Sequence, residues 1–189
     1  MSRLALLGLG LSLLSGCTLI QRPEPLTTVQ LSLADADLAW PVAIAPANVE
    51  ATSALRSNRV LVIDGAVLMQ HEGLRWVDTP VVMLADQLRV MHARTRESTA
   101  SIASLDLWLS EFNVRVEADR SREVAVSAHG TLRCTASDRS IAIAPASART
   151  DRSGDDPQAL ADAFARASAE VLKALLSEAA TSSAGCAQP

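Results

Sequence analysis

Ile102-Ala103-Ser104-Leu105-Asp106-Leu107-Trp108-Leu109-Ser110-Glu111-Phe112-Asn113-Val114-Arg115-Val116-Glu117-Ala118 decides the fold. Leu105, Leu107 and Leu109 share one parity; Phe112, Val114 and Val116 share the other. Alternate residues of a strand face the same side of a sheet. The apolar set therefore changes parity at Ser110-Glu111, which predicts one long strand with a β-bulge or sharp bend there. Trp108 has the opposite parity to its leucine neighbours. It should face the other side, as an exposed or interfacial aromatic.

Downstream, Asp119-Arg120-Ser121-Arg122 reads as a turn. Glu123 to Cys134 alternates at Val124, Val126, Ala128, Leu132 and Cys134. Ser140 to Ala144 carries Ile141 and Ile143. These three segments predict an antiparallel meander. Ala148 to Asp156 is polar and contains Gly154, so it reads as a loop. Asp156 before Pro157 caps a closing helix, with Leu160, Phe164, Ala167, Val171 and Leu175 as its apolar stripe. Thr181 to Gly185 should end it.

Upstream, Thr27 to Leu33 alternates at Val29, Leu31 and Leu33 and predicts a strand. Trp40 to Ala47 predicts a second, with Pro41 and Pro46 suited to strand ends or an edge. Arg59 to Ile63 and Ala66 to Gln70 flank Asp64-Gly65, a hairpin turn in which φ > 0 is tolerated. His71-Glu72-Gly73 should end the returning strand. Thr79 and Pro80 mark a helix start, and Val77, Val81, Leu84, Leu88 and Met91 recur at helical spacing. The order is four strands, a helix, three strands, a helix. The fold class is α+β: a single two-layer domain, mostly antiparallel sheet with two amphipathic helices packed on one face.

The chain has 189 residues and a net charge of −4, which excludes a strongly basic nucleic-acid binder. Thirty-three residues are Ala, and Arg outnumbers Lys sixteen to one; both read as base composition. No apolar run reaches the ~20 residues of a spanning helix. Residues 1–16 read as a secretory signal: Arg3, then Leu4 to Leu14 without a charge, then Ser15-Gly16. Leu14-Ser15-Gly16-Cys17 resembles the bacterial lipobox, in which the cysteine is lipidated and becomes the mature N-terminus. Cleavage there leaves 173 residues. Residues 17–26 then form a lipidated, Pro-punctuated tether, residues 27–180 the domain, and residues 181–189 a tail. Thr18, where Asp would favour inner-membrane retention, leans towards an outer-membrane anchor facing the periplasm of a Gram-negative bacterium.

Catalytic patterns are missing. No GxSxG, P-loop, GxGxxG or HExxH is present. His71, His92 and His129 are unpaired at ligand spacing. Asp151 to Asp156 has its glycine too early for a calcium loop and no Glu at the twelfth position. The reading is a non-enzyme with no catalytic residue, no metal and no cofactor beyond the lipid on Cys17. Cys134 and Cys186 would meet an oxidising space and are a candidate disulfide, with two free thiols as the alternative. Trp40, Trp76 and Trp108 are scattered. Arg75, Trp76 and Trp108 are the candidate partner interface.

The lipobox, the segment Trp40 to Met91 and the closing helix together resemble the ABC-type transport auxiliary lipoproteins, the PqiC-like proteins of MCE transport systems. The resemblance rests on Pro41-Val42-Ala43-Ile44-Ala45-Pro46, on Leu55 with Asn58-Arg59-Val60-Leu61-Val62, and on Leu74-Arg75-Trp76-Val77-Asp78-Thr79-Pro80. Leu107 to Phe112 and the helix from Ala159 to Leu176 also fit. Where the family often opens its first strand with Tyr, this chain has Thr27-Thr28. The resemblance implies an outer-membrane-anchored periplasmic component that docks or scaffolds an intermembrane lipid-transport machine. Its partners would be an MCE-domain protein and the permease and ATPase of the same system. The same anchor and fold would also serve a structural outer-membrane assembly or pilot lipoprotein. Homo-oligomerisation stays open.

Overall fold

The computed structural model describes residues 26–95, 100–151 and 156–187. The signal expected over residues 1–16, and the expected tether from Cys17 as far as Pro25, lie outside the described residues.

Among the described residues, seven strands make one mixed sheet. They are β1 (Thr27–Val29), β2 (Ile44–Ala51), β3 (Arg59–Asp64), β4 (Val67–Trp76), β5 (Ala103–Val116), β6 (Arg122–Cys134) and β7 (Ser140–Asp151). The order across the sheet is β1-β4-β3-β5-β6-β7, with β2 also on β5. β2 and β3 pair parallel with the first and second halves of β5, and a 3-10 turn (Ser53–Arg56) joins them. The chain thus tracks one edge of β5 twice in the same direction. The long ladders, β5 on β6 and β6 on β7, are antiparallel, as is the β3–β4 hairpin. The short pairings of β1 with β4 and of β2 and β3 with β5 are parallel.

The bulge sits where the parity changes. Leu109 pairs with Ala128 and Glu111 with Ser127, so Ser110 is the extra residue. One inserted residue puts Phe112 on the face of Leu109. Leu105, Leu107, Leu109, Phe112 and Val114 therefore all point to one side, and each is buried. Gly130 faces the same side opposite Leu107, and a Cβ there would come within 3.1 Å of Leu105 Cδ1. Only glycine fits without displacing that leucine.

Two helices cover this face: α1 (Pro80–Arg94) and α2 (Pro157–Ser182). Thr79 Oγ1 accepts from the Val82 amide at 3.3 Å, and an Asp156 carboxylate oxygen accepts from the Ala159 amide at 3.0 Å. Each cap satisfies an amide that has no partner inside the helix. α1 lies against β2. α2 touches β6 and β7 at one end of the strand order and β1 at the other. Strands stand about 4.8 Å apart and a helix is about 10 Å wide. A flat sheet could not touch α2 from both ends, so the sheet curls around it. Ala161, Ala163, Ala167 and Ala179 are buried along α2 and let it approach closely.

The structure departs from the sequence reading in several places. The first strand stops at Val29; Leu31 and Leu33 stay buried, but the Leu33 amide bonds Gln87 of α1. The second strand begins at Ile44, and Trp40 precedes it, its indole N–H donating to the Ile44 carbonyl at 2.6 Å. β4 continues through His71-Glu72-Gly73 to Trp76. Val77 lies outside α1 and is exposed; Met83 takes its place in the stripe. β7 runs on to Asp151, where a loop was expected. Its ladder shifts between Ile143 and Ala146, and that irregularity accommodates Pro145 on an edge strand. The boundary expected at residue 180 falls inside α2, and the expected tail forms a 3-10 turn (Ser183–Cys186) that buries Cys186.

Candidate functional site

The face of β5 and β6 turned away from Leu105, Leu107 and Leu109 carries polar groups and one tryptophan. Trp108 pairs with His129 of β6 on one side and with Glu50 of β2 on the other. Its ring stacks on the His129 imidazole, centroids 6.4 Å apart and planes 28° apart. Trp108 is partly exposed. Asp106, two residues earlier and on the same side, holds Arg133 Nε at 2.5 Å and accepts from the Asn48 amide at 3.2 Å. That amide is freed by the register shift in β2 between Pro46 and Val49. Glu50, Asp106, Trp108, His129, Thr131 and Arg133 line a shallow depression of about 250 Å³.

Further along β5, past the bulge, Glu111, Asn113 and Arg115 share this side. Glu111 accepts from Arg115 Nε at 2.7 Å, from Asn113 Nδ2 at 3.3 Å and from Ser127 Oγ at 3.0 Å. Burial pushes the Glu111 carboxyl up. The hydrogen bonds from Arg115, Ser127 and Asn113, with the charge of Arg115, outweigh it and hold the group below its ordinary value. The result is a rigid row of charge-assisted contacts beside an aromatic step. Aromatic and arginine groups on a firm sheet are what protein interfaces use as anchors.

The three residues expected at a partner surface separate. Trp108 and Arg75 lie on the open side. Arg75 stands opposite Arg59, and its Nε is buried with no hydrogen-bond partner among the described residues. Trp76 is the correction. It is 1% exposed and packs between Phe112 and Phe164, with centroids at 5.3 and 4.9 Å. Adjacent strand residues point to opposite faces, so Arg75 and Trp76 cannot serve one surface. Trp76 is a core residue in this fold.

Cys134 and Cys186 are joined in a disulfide that ties the C-terminal turn to the end of β6. Cys17 lies outside the described residues. Among the described residues no group of three or more His, Cys, Asp or Glu could hold a metal ion, and no helix is long and apolar enough to cross a membrane.

Asp106, His129, Glu111 and Arg133 are not among the site residues expected from the sequence. Their signal was present: each shares the side of Trp108 once β5 and β6 are set in register. Val67-Leu68-Met69, expected only as part of the returning strand, are exposed. Three consecutive apolar residues cannot all face one core from a strand.

No protein-family model matches the chain, and no curated protein matches it. Solved structures do. A Xanthomonas campestris protein assigned to the family DUF330 aligns over 87% of this chain and 98% of its own, with a TM-score of 0.69 and 19% identity. An uncharacterized protein aligns over 84% of this chain and 98% of its own, with a TM-score of 0.60 and 14% identity. At these identities the likeness is one of fold: this chain shares the fold of the DUF330 protein over nearly its whole described length.

Proposed function

We propose that this chain is a lipid-anchored periplasmic auxiliary protein of an ABC/MCE-type intermembrane transport system, held at the outer membrane by Cys17 and docking a protein partner there. The observation that carries the reading is the lipobox Leu14-Ser15-Gly16-Cys17. A fold shared with a DUF330 protein supports it, because that family is PqiC-like and the sequence resemblance points the same way. The open side of the sheet supports the docking role. It offers Trp108 stacked on His129 beside a fixed acid–base row. The partners are an MCE-domain protein and its permease and ATPase, and the cargo is a lipid or another hydrophobic solute.

The test is detergent extraction of the full chain from cells fed labelled palmitate. The expected result is label on the wild type, none on Cys17→Ala, and the MCE-domain protein in the same eluate. Label without any transport component overturns the docking role. Absence of label overturns the anchor.

A further inference from the structure

Val42, Val77, Val82 and Val90 are exposed singly, but three consecutive exposed apolar side chains stand together at one end of the sheet. Val67, Leu68 and Met69 are 58%, 54% and 43% exposed, at the start of β4 beside the hairpin turn. Gly65 alone takes a left-handed φ there, at 58°, which makes the turn tight and carries the following residues outward. The Asp64 carboxylate pairs with Arg120 of the β5–β6 turn at 3.3 Å, so the hairpin tip is braced against the sheet.

The direction of β1 says what lies beyond that end. β1 pairs parallel with the far part of β4, Thr27 opposite Leu74 and Val29 opposite Trp76. β1 therefore enters the sheet from the side of the Val67 end of β4. Leu26, the first described residue, is itself 42% exposed. From the level of Leu26 to Val67 is about six residues of strand, roughly 20 Å. The nine Cα–Cα steps from Cys17 to Leu26 span at most about 30 Å. That length is enough for an acyl chain on Cys17 to enter a membrane that the hairpin tip also touches.

We infer that Val67, Leu68 and Met69 form a second, non-covalent membrane contact, the hairpin tip seating in the lipid interface next to the anchor. The occupant is a phospholipid surface, not a second copy of the chain. The inference rests on the lipid anchor at Cys17. The groups around the tip carry both signs: Asp64, Glu117 and Asp119 against Arg115, Arg120 and Arg122. Contact is therefore apolar in origin, and salt should change it little. The acyl chains on Cys17 hold the chain at the membrane without orienting it, and a second contact fixes orientation. With the tip in the membrane, the sheet stands on end and the Trp108 side faces the periplasm laterally.

The test uses the full lipidated protein in vesicles of phosphatidylethanolamine and phosphatidylglycerol. Cys17 is acylated and Cys134 is bonded to Cys186. A Leu68→Cys substitution thus supplies the one free thiol for an environment-sensitive fluorophore. Asp138→Cys, in the β6–β7 turn at the other end, is the control. The expected result is at least a twofold quenching of the Leu68→Cys probe by nitroxide-labelled lipid, none at Asp138→Cys, and no change between low and high salt. Protein that floats with the vesicles but is not quenched at position 68 overturns the inference and leaves the anchor standing. A blue-shifted, unquenched probe shows a protein surface covering the tip and also overturns it. Protein that does not float refutes the anchor, and the inference falls with it.

Discussion

Trp76, the last residue of β4, meets Phe164 of α2 edge to face, with centroids 4.9 Å apart and planes at 87°. Phe112 completes the cluster, 4.4 Å from Phe164. These are the only two phenylalanines of the chain. Three distant segments converge on this point, so the sheet and the closing helix are fastened together here.

Truncation inside the cluster should therefore be costly. Phe164→Ala is expected to lower stability by about 3–5 kcal/mol, the usual range for a buried aromatic. Trp76→Ala should fall in the same range, and Trp76→Phe should lose less. Denaturant unfolding followed by circular dichroism measures all three.

The bulge gives a sharper contrast. Ser110 is exposed, and its hydroxyl donates to the Ser127 carbonyl. Ser110→Ala should cost under about 1 kcal/mol. Deleting Ser110 should abolish cooperative unfolding, because Phe112, Val114 and the rest of β5 would turn to the wrong face. A folded deletion variant with the same near-ultraviolet spectrum would refute the bulge's role.

Reduction should matter as well. The Cys134–Cys186 bridge closes 52 residues. Its loss is expected to cost about 4 kcal/mol through unfolded-state entropy, with 2–4 kcal/mol the usual range. Comparing denaturation midpoints with and without reductant, and for Cys186→Ser, reads this directly.

Acid sensitivity follows from Glu111. Its pKa lies below the ordinary value in the folded chain. A depressed carboxyl contributes stability above its unfolded pKa and loses it as pH falls through the folded one. Stability should drop below about pH 4, and Glu111→Gln should be less stable at neutral pH with a flatter acid slope. An unchanged slope in that variant would show that Glu111 is not the group involved.

Much of the fold was legible in the residues. Leucine parity before Ser110 and phenylalanine parity after it located the bulge, and Thr79-Pro80 and Asp156-Pro157 located both helix starts. The course of β2 and β3 along β5 was not legible. Parallel pairing depends on contacts across more than forty residues, and alternation alone does not name a strand's partner. The length of β7 was hidden by Pro145 and by small residues at Ala146 and Ala148. On the open side, Trp108 could be placed by parity, but His129, Asp106 and Arg133 could be joined to it only with the β5–β6 register in hand. Trp76 was misplaced because β4 was ended at Gly73. Extending the strand by three residues turns an apparent surface aromatic into the centre of the core.

Docking through the open side of the sheet turns on Trp108. The wild-type lipidated protein and Trp108→Ala should be purified in detergent from the native membrane, and the co-eluting MCE-domain protein quantified. Trp108→Ala is expected to lose at least tenfold of the captured partner while its denaturation midpoint stays that of the wild type. Equal capture by both proteins, or a wild type that elutes alone, would contradict it.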